Sequence, residues 1–416
     1  MSGMEQRTIL KLLHDAAERY PGRAYATMKG DAGWQPWTYR DIDDESDRVA
    51  AALMGRGIRD QAAVGILSEG RPQWVAGEFG VVKSRSVSVP MSIKLTPEEI
   101  GFRIEHSMMA ACFVSSNTVR KFGDAFSHCE RRPLLIYFDE PDKQLEAVVR
   151  ELSLAAGTDM VLYSALLAEG EQQLAADNAM VRNVEALVSE DDVVNICYTS
   201  GTTGNPKGIM LTHRNYYANA QDSVELFQLP DAVYETLIVL PLDHSFAHTV
   251  GLYASLLRGV TMHFVDARGG SINIIRNLPI NLKEVNPHFM MTVPAISGNF
   301  MKKMVAGISA KGSFIEGIFR RGLAAGIRRN GDGSKRPSLW TRVRTAVPYH
   351  LAALLVFPKL REVFGNRIEF CVGGGALLEV RQQNFYAAIG MPIYQGYGLT
   401  EAAPVICSNS PARHKF

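Results

Sequence analysis

The run Tyr198-Thr199-Ser200-Gly201-Thr202-Thr203-Gly204-Asn205-Pro206-Lys207-Gly208 gathers hydroxyls, glycines and one cation directly after an apolar, strand-forming stretch, Val193 to Tyr198. That combination suits a bound phosphate. Glycines let backbone N–H groups approach an anion, Ser and Thr hydroxyls add donors or a metal ligand, and Lys207 supplies fixed positive charge. It is not the P-loop of kinases and GTPases, which has Gly directly before its Lys and Ser or Thr directly after; here Pro206 and Gly208 flank Lys207. A second chemical candidate is Leu240-Pro241-Leu242-Asp243-His244. His244 and His248 stand four apart, as on a zinc-binding helix, but Ser245 occupies the place of that motif's Glu. Asp243, His244 and Ser245 are consecutive and cannot face one another as a hydrolase triad, and there is no Gly-x-Ser-x-Gly elbow.

Such motifs need elements to hold them, and short β-rich runs precede most of them. Strands are predicted at Ala63 to Leu67, Ser86 to Val89, Ala111 to Ser115, Leu134 to Phe138, Leu237 to Leu240, Thr261 to Val265, Ile368 to Val372 and Pro392 to Tyr394. Helical patterns separate the earlier ones, starting with an amphipathic stretch from Ile9 to Tyr20, which favours parallel, crossover-connected strands and an α/β fold. Thr96-Pro97-Glu98-Glu99 predicts a capped helix running to about Met109. A boundary near residue 188 divides a first α/β subdomain, 1–188, from a second, 189–416, that carries the motifs. In open α/β sheets ligands bind beyond the carboxyl ends of strands, so motifs at several strand ends are expected to converge on one crevice. Gly322 to Arg344 reads as an exposed basic loop.

Composition excludes little by itself: 44 Lys and Arg stand against 43 Asp and Glu, and apolar residues make up 46% of 416. Neither zinc-ligand spacing nor basic–aromatic interleaving supports nucleic-acid binding. The start, MSGMEQRTILKLL, has no signal-peptide core, and the longest apolar stretches, such as Ala352 to Phe357, fall far short of the ~20 residues of a membrane-spanning helix. Five widely spaced cysteines without a CxxC pair read as reduced, mostly buried thiols. A cytoplasmic protein is expected.

The eleven-residue loop resembles the signature phosphate loop of the adenylate-forming superfamily, which includes acyl- and aryl-CoA synthetases, firefly-type luciferases and peptide-synthetase adenylation domains. Two further stretches, Gly374-Gly375-Ala376 and Tyr394-Gln395-Gly396-Tyr397-Gly398-Leu399-Thr400-Glu401, resemble other motifs of that family in the expected order. The resemblance implies the large N-terminal domain of the adenylate-forming fold: stacked mixed β-sheets flanked by helices, with a distorted β-barrel subdomain. It implies that Thr199, Ser200, Gly201, Thr202, Thr203, Gly204 and Lys207 hold the nucleotide's phosphates, and that Gly374, Gly375 and Ala376 wall the adenine pocket. Gln395, Gly396, Tyr397, Gly398 and Thr400 complete that pocket: Tyr397 offers an aromatic face, the glycines allow close backbone approach, and Thr400 donates to the α-phosphate. Glu401, with Thr199, is expected to hold Mg²⁺ through oxygen. His244 is expected between the acyl tail and the α-phosphate, so Lys207, His244, Thr400 and Glu401 form the catalytic set. ATP, Mg²⁺ and CoA are the implied cofactor and co-substrates, and a carboxylic acid is the implied substrate.

Within that family Tyr349-His350-Leu351, Leu360 to Gly365 and Arg367 to Phe370 are similar to the long-chain fatty acyl type, and Met290 to Ala295 to a segment near the acyl tunnel of those enzymes. Relatives adenylating aryl, medium-chain or amino acids are the rival within the class; a non-catalytic nucleotide-binding protein is the rival outside it. Family members continue past the point, fifteen residues after Glu401, where this sequence stops. The small C-terminal domain with its catalytic Lys is thus expected to be absent here, with binding outlasting catalysis. The basic segment leaves peripheral contact with an anionic membrane open, and a homodimer is a family prior only.

Overall fold

The computed structural model describes residues 6–199, 205–335 and 337–416. Fifteen strands lie among them: β1 (Ala24–Gly30), β2 (Gly33–Thr38), β3 (Ala63–Leu67), β4 (Val87–Pro90), β5 (Ala111–Val114), β6 (Leu134–Tyr137), β7 (Met160–Leu162), β8 (Val193–Thr199), β9 (Lys207–Thr212), β10 (Glu235–Ile238), β11 (Thr261–Phe264), β12 (Phe289–Thr292), β13 (Phe370–Gly373), β14 (Ile393–Gly398) and β15 (Val405–Ser408). One sheet has the order β15-β14-β13-β12-β10-β11-β1-β2 and the other β7-β6-β5-β3-β4-β8-β9. The eight-stranded sheet is parallel inside with an antiparallel strand at each edge, β2 and β15, whereas the seven-stranded sheet is parallel throughout except at its edge strand β9. Both sheets are open, with free edges at β15 and β2 and at β7 and β9, so the barrel implied by the resemblance is not found among the described residues.

Sheet membership does not follow a single cut at residue 188. Strands β1 and β2, from the first forty residues, join the sheet of β10 to β15, and β8 and β9 complete the sheet of β3 to β7. Burial explains the interleaving: the largest apolar core takes residues from both sheets, such as Ile66 and Phe113 from one and Met262 and Phe289 from the other. Strand alternation feeds two cores at once, because Phe289 and Met291 face this shared layer while Met290 faces the outer layer. The hairpin β1–β2 escaped the hydrophobic pattern; β2 is an edge strand, and there Pro36 removes no ladder bond the sheet needs.

The helix at Thr96 forms as its cap predicts. Glu99 N donates to Thr96 Oγ1 at 3.3 Å and Thr96 N donates to Glu99 Oε2 at 2.8 Å, but the helix ends at His106, since Met108 adopts φ +53°. The expected basic loop is a correction. Helices Ser313–Asn330 and Leu339–Leu355 fill most of Gly322 to Arg344 and leave only a short connection, in which Arg336 lies outside the described residues. The Gly, Asp and Ser cluster at 331–334 gave a true turn signal, which the reading extended over the flanking helical residues. Cys112, Cys197 and Cys371 are buried, and all five cysteines are free.

Helices Ile9–Arg19, Tyr39–Gly55 and Pro72–Lys83 are tied by a charged cluster. Buried Lys83 Nζ lies 2.7 Å from Asp43 and 2.5 Å from Asp47, while His14 reaches Asp43 at 3.2 Å and Glu185 at 3.1 Å. Hydrogen bonds to Asp43 and then Glu185 push the His14 pKa up to about 9. The folded-state value lies above the ordinary ~6.5, so this stabilisation is complete below about pH 6.5 and is lost as pH rises through about 9. His14 is partly exposed, and after solvent screening ~1–2 kcal/mol is expected to disappear over that window. Urea denaturation at the two ends of the window should show the loss, and His14→Gln should flatten it; an unchanged slope in that variant would contradict the assignment.

Candidate active site

The carboxyl ends of β10, β12, β13 and β14 lie side by side on one edge of the eight-stranded sheet, and three of them run straight into motif residues. After β13 the chain passes through Gly374, Gly375 and Ala376. Gly374 N donates to Thr292 O at 3.2 Å, and Gly375 takes φ +75°, a conformation that favours glycine. Gln395, on β14, holds this loop in place: its Oε1 accepts from Leu378 N at 2.8 Å and its Nε2 donates to Ala376 O at 3.2 Å. The side chain therefore stitches the two motifs together. Tyr397, next but one along, is 60% exposed, and its ring could stack on a ligand.

Beyond β14 the chain makes a short helical turn at Thr400–Ala402, with Thr400 buried and Glu401 exposed. The segment after β10 meets this turn directly. Ser245 Oγ donates to Thr400 Oγ1 at 3.3 Å, and Thr249 Oγ1 donates to Ala403 O at 3.0 Å. Residues Ala247–Tyr253 form a π-helix, a rare, wide geometry often found at functional sites. His244, just before it, is exposed, and its Nδ1 accepts from Phe246 N at 3.3 Å. Partial burial lowers the His244 imidazole below its ordinary value and raises the neighbouring Asp243 carboxyl. With Nδ1 accepting from Phe246 N, Nε2 is the ring nitrogen left to donate a hydrogen bond. His248 cannot share a metal with it: that side chain is fully buried, with Nε2 3.2 Å from Glu78.

The phosphate-loop motif is a hairpin connection, not a strand-to-helix turn. Thr199, at the end of β8, pairs with Lys207, at the start of β9, and β9 contacts the turn at 400–402. Ser200, Gly201, Thr202, Thr203 and Gly204 lie outside the described residues. Lys207 and Glu401 are both exposed, and neither makes an ion pair or side-chain hydrogen bond with another described residue. Among the described residues no group of three or more His, Cys, Asp or Glu could hold a metal alone. One free carboxylate fits Mg²⁺ arriving with a nucleotide, since that ion is commonly held by one or two carboxylates together with substrate phosphates.

An apolar pocket opens beside these motifs, lined by Phe227, Phe246, Val250, Phe289, Phe370 and Val372. Its cavity volume is about 40 Å³. Sequence reasoning did not reach Ser245, Thr249 or Asn219 as site-building residues. Asn219 Nδ2 donates to Val405 O at 2.8 Å and its Oδ1 accepts from Val405 N at 3.2 Å, pinning the strand after the Thr400 turn to helix His213–Phe227. These are single polar residues without spacing, and only the fold brings them to the motifs.

A family model described as AMP-binding enzyme matches residues 13–415. The chain belongs to the AMP-binding enzyme family. Among curated members of that family it is similar to the peroxisomal long chain acyl-CoA synthetase 7 of Arabidopsis thaliana, 26% identical over 408 residues that make up 95% of this chain and 53% of the relative. It is also similar to the long-chain-fatty-acid–CoA ligase 1 of Homo sapiens, 27% identical across 94% of this chain and 53% of that protein. The chain thus spans about half the length of the curated relatives it matches. Its fold matches the crystal structure of the anthranilate CoA ligase AuaEII in complex with anthranoyl-AMP, with a TM-score of 0.66, 17% identity, and coverage of 99% of this chain and 63% of that one.

Proposed function

We propose that the chain is the adenylating portion of an ATP- and Mg²⁺-dependent acyl-CoA ligase of the long-chain fatty-acid type. The observation that carries this reading is the convergence of the His244 segment and the Thr400–Glu401 turn, at the carboxyl ends of β10 and β14, with β9 of the other sheet, which starts at Lys207 and contacts that turn. A carboxylate is already an anion at neutral pH, so no base is needed to activate it; the difficulty is bringing it to a polyphosphate. At 4 Å two unit charges repel by ~4 kcal/mol at an effective dielectric of 20. Lys207 and the hydroxyl-rich loop, Thr199 to Gly204, offset that repulsion on the β- and γ-phosphates, and the Thr400 hydroxyl and His244 Nε2–H hold the α-phosphate and the carboxylate in line.

Glu401 and the Thr199 hydroxyl would hold Mg²⁺, which when bound neutralises charge on the phosphates. The carboxylate oxygen forms a bond to the α-phosphorus, the bond to the bridging oxygen breaks, and pyrophosphate leaves with the electron pair. Gly374 to Ala376 and Gln395 to Gly398 seat the adenine against Tyr397. Transfer of the acyl group to the CoA thiol, with release of AMP, completes the reaction.

The long-chain relatives support a fatty-acid substrate, and a long tail requires the 40 Å³ pocket to open. The small pocket favours a second reading, an aryl or medium-chain acid. Thermal-shift titration with non-hydrolysable acyl-adenylate analogues of graded tail length separates the two, because each buried methylene adds ~0.8 kcal/mol. Stabilisation that climbs with tail length is the expected outcome; a maximum at short or aromatic tails would transfer the substrate to the second reading.

A further inference from the structure

Helix Leu339–Leu355 has its apolar residues on the wrong side for a helix surrounded by water. Leu339, Trp340, Val343, Val347, Leu351 and Leu354 are each 43–78% exposed. At 3.6 residues per turn they fall within an arc of about 120°, a continuous apolar stripe four turns long. The opposite face is already committed. Ala352 is buried against Gly322 so closely that a Cβ on the glycine would lie 2.0 Å from its own, and the Arg329 guanidinium stacks 4.8 Å from the Tyr349 ring. An exposed apolar stripe of this size marks an interaction surface.

Charge identifies what the stripe meets. Between residues 313 and 355 eight Lys or Arg stand against two acids, in a chain whose formal net charge is only +1. By helical geometry Arg344 edges the stripe on one side and Arg342 on the other, both exposed, and the Arg344 guanidinium lies 5.8 Å from the Trp340 ring. Arg321, Arg328 and Lys335 are exposed on the same hairpin. A second copy of this surface would bring like charges together. We propose that helix Leu339–Leu355 lies in the plane of an anionic lipid bilayer, with its stripe among the acyl chains and its cations at the headgroups. No helix among the described residues is long and apolar enough to cross a membrane, so the contact is peripheral.

Co-sedimentation with vesicles of phosphatidylcholine and phosphatidylglycerol in equal parts should capture the chain, with affinity at least about tenfold lower for phosphatidylcholine alone. Trp340 emission should shift to the blue on binding, and Trp340→Phe should remove that shift. Val347→Glu/Leu354→Glu, with circular dichroism unchanged, should lower vesicle affinity more than about tenfold; Trp340→Ser provides a second variant should that pair fail to fold. Vesicle binding that neither variant alters, or no binding at all, would overturn the proposal. So would light scattering that shows a lipid-free dimer becoming a monomer in Val347→Glu/Leu354→Glu, because the occupant would then be a second copy.

Discussion

Lys207→Ala is expected to weaken Mg-ATP binding by roughly 10- to 100-fold, the worth of one charge-assisted hydrogen bond, while AMP affinity stays nearly constant. Lys207 opens β9 opposite Thr199, and in the proposed mechanism its charge serves the distal phosphates and not the adenosine half of the nucleotide. Adenylation should suffer more than binding. Charge on the departing pyrophosphate grows in the transition state, and removing one preorganised donor of this kind typically slows the step ~10²–10³-fold. The exposed side chain makes no ion pair or hydrogen bond with a described residue, so folding stability should change by less than about 0.5 kcal/mol. Calorimetric titration with ATP and with AMP, beside acid-dependent ATP–pyrophosphate exchange, reads all three. Equal weakening of ATP and AMP would remove Lys207 from the distal phosphates.

The second large effect is expected at Gly398. A Cβ there would lie 2.1 Å from the Pro404 carbonyl oxygen and 2.9 Å from its carbon, both backbone atoms that no side-chain rotation can relieve. Gly398→Ala must therefore push β14 from β15 and displace the Thr400–Glu401 turn between them, at a cost of about 1–3 kcal/mol. Gly396, two residues earlier in the same motif, provides the contrast: its nearest neighbour would be 3.4 Å away, an ordinary contact. Gly396→Ala should leave stability within about 1 kcal/mol of the parent. Urea denaturation compares the folds, and titration with an acyl-adenylate analogue compares the sites. Gly398→Ala should lose stability and ligand stabilisation together, whereas a Gly398→Ala protein as stable as the parent would mean that the turn is not held by that close approach.

The two glycines show what the sequence reveals and what it leaves out. A strand followed by Gly-Tyr-Gly signals close backbone approach, but which glycine is approached depends on β15, a four-residue strand with no periodicity to announce it. Parallel strands such as Ala63–Leu67 were legible because burial on both faces makes them continuous apolar runs. The hairpin β1–β2, carrying Pro36 on an edge, and β9, in which only Leu211 is buried, lacked that signature. Of the site, Lys207, His244, Thr400 and Glu401 could be named from motifs; Ser245, Thr249 and Asn219, which hold those motifs against one another, could not. The basic segment shows the reverse failure. Its charges were plain in the sequence, yet they suggested a loop where two helices stand, one of them presenting an apolar stripe.

Adenylate binding by this sheet edge is tested most directly by thermal shift of the chain with a non-hydrolysable acyl-adenylate, in the parent, in His244→Ala and in Thr400→Val. An analogue at a hundredfold excess over its dissociation constant should stabilise the parent by ~2.7 kcal/mol. Both variants should lose most of that gain, since each removes a donor assigned to the junction of carboxylate and α-phosphate. A parent that shows no shift with the analogue, or variants that keep the full shift, would contradict an adenylate site at the carboxyl ends of β10, β13 and β14.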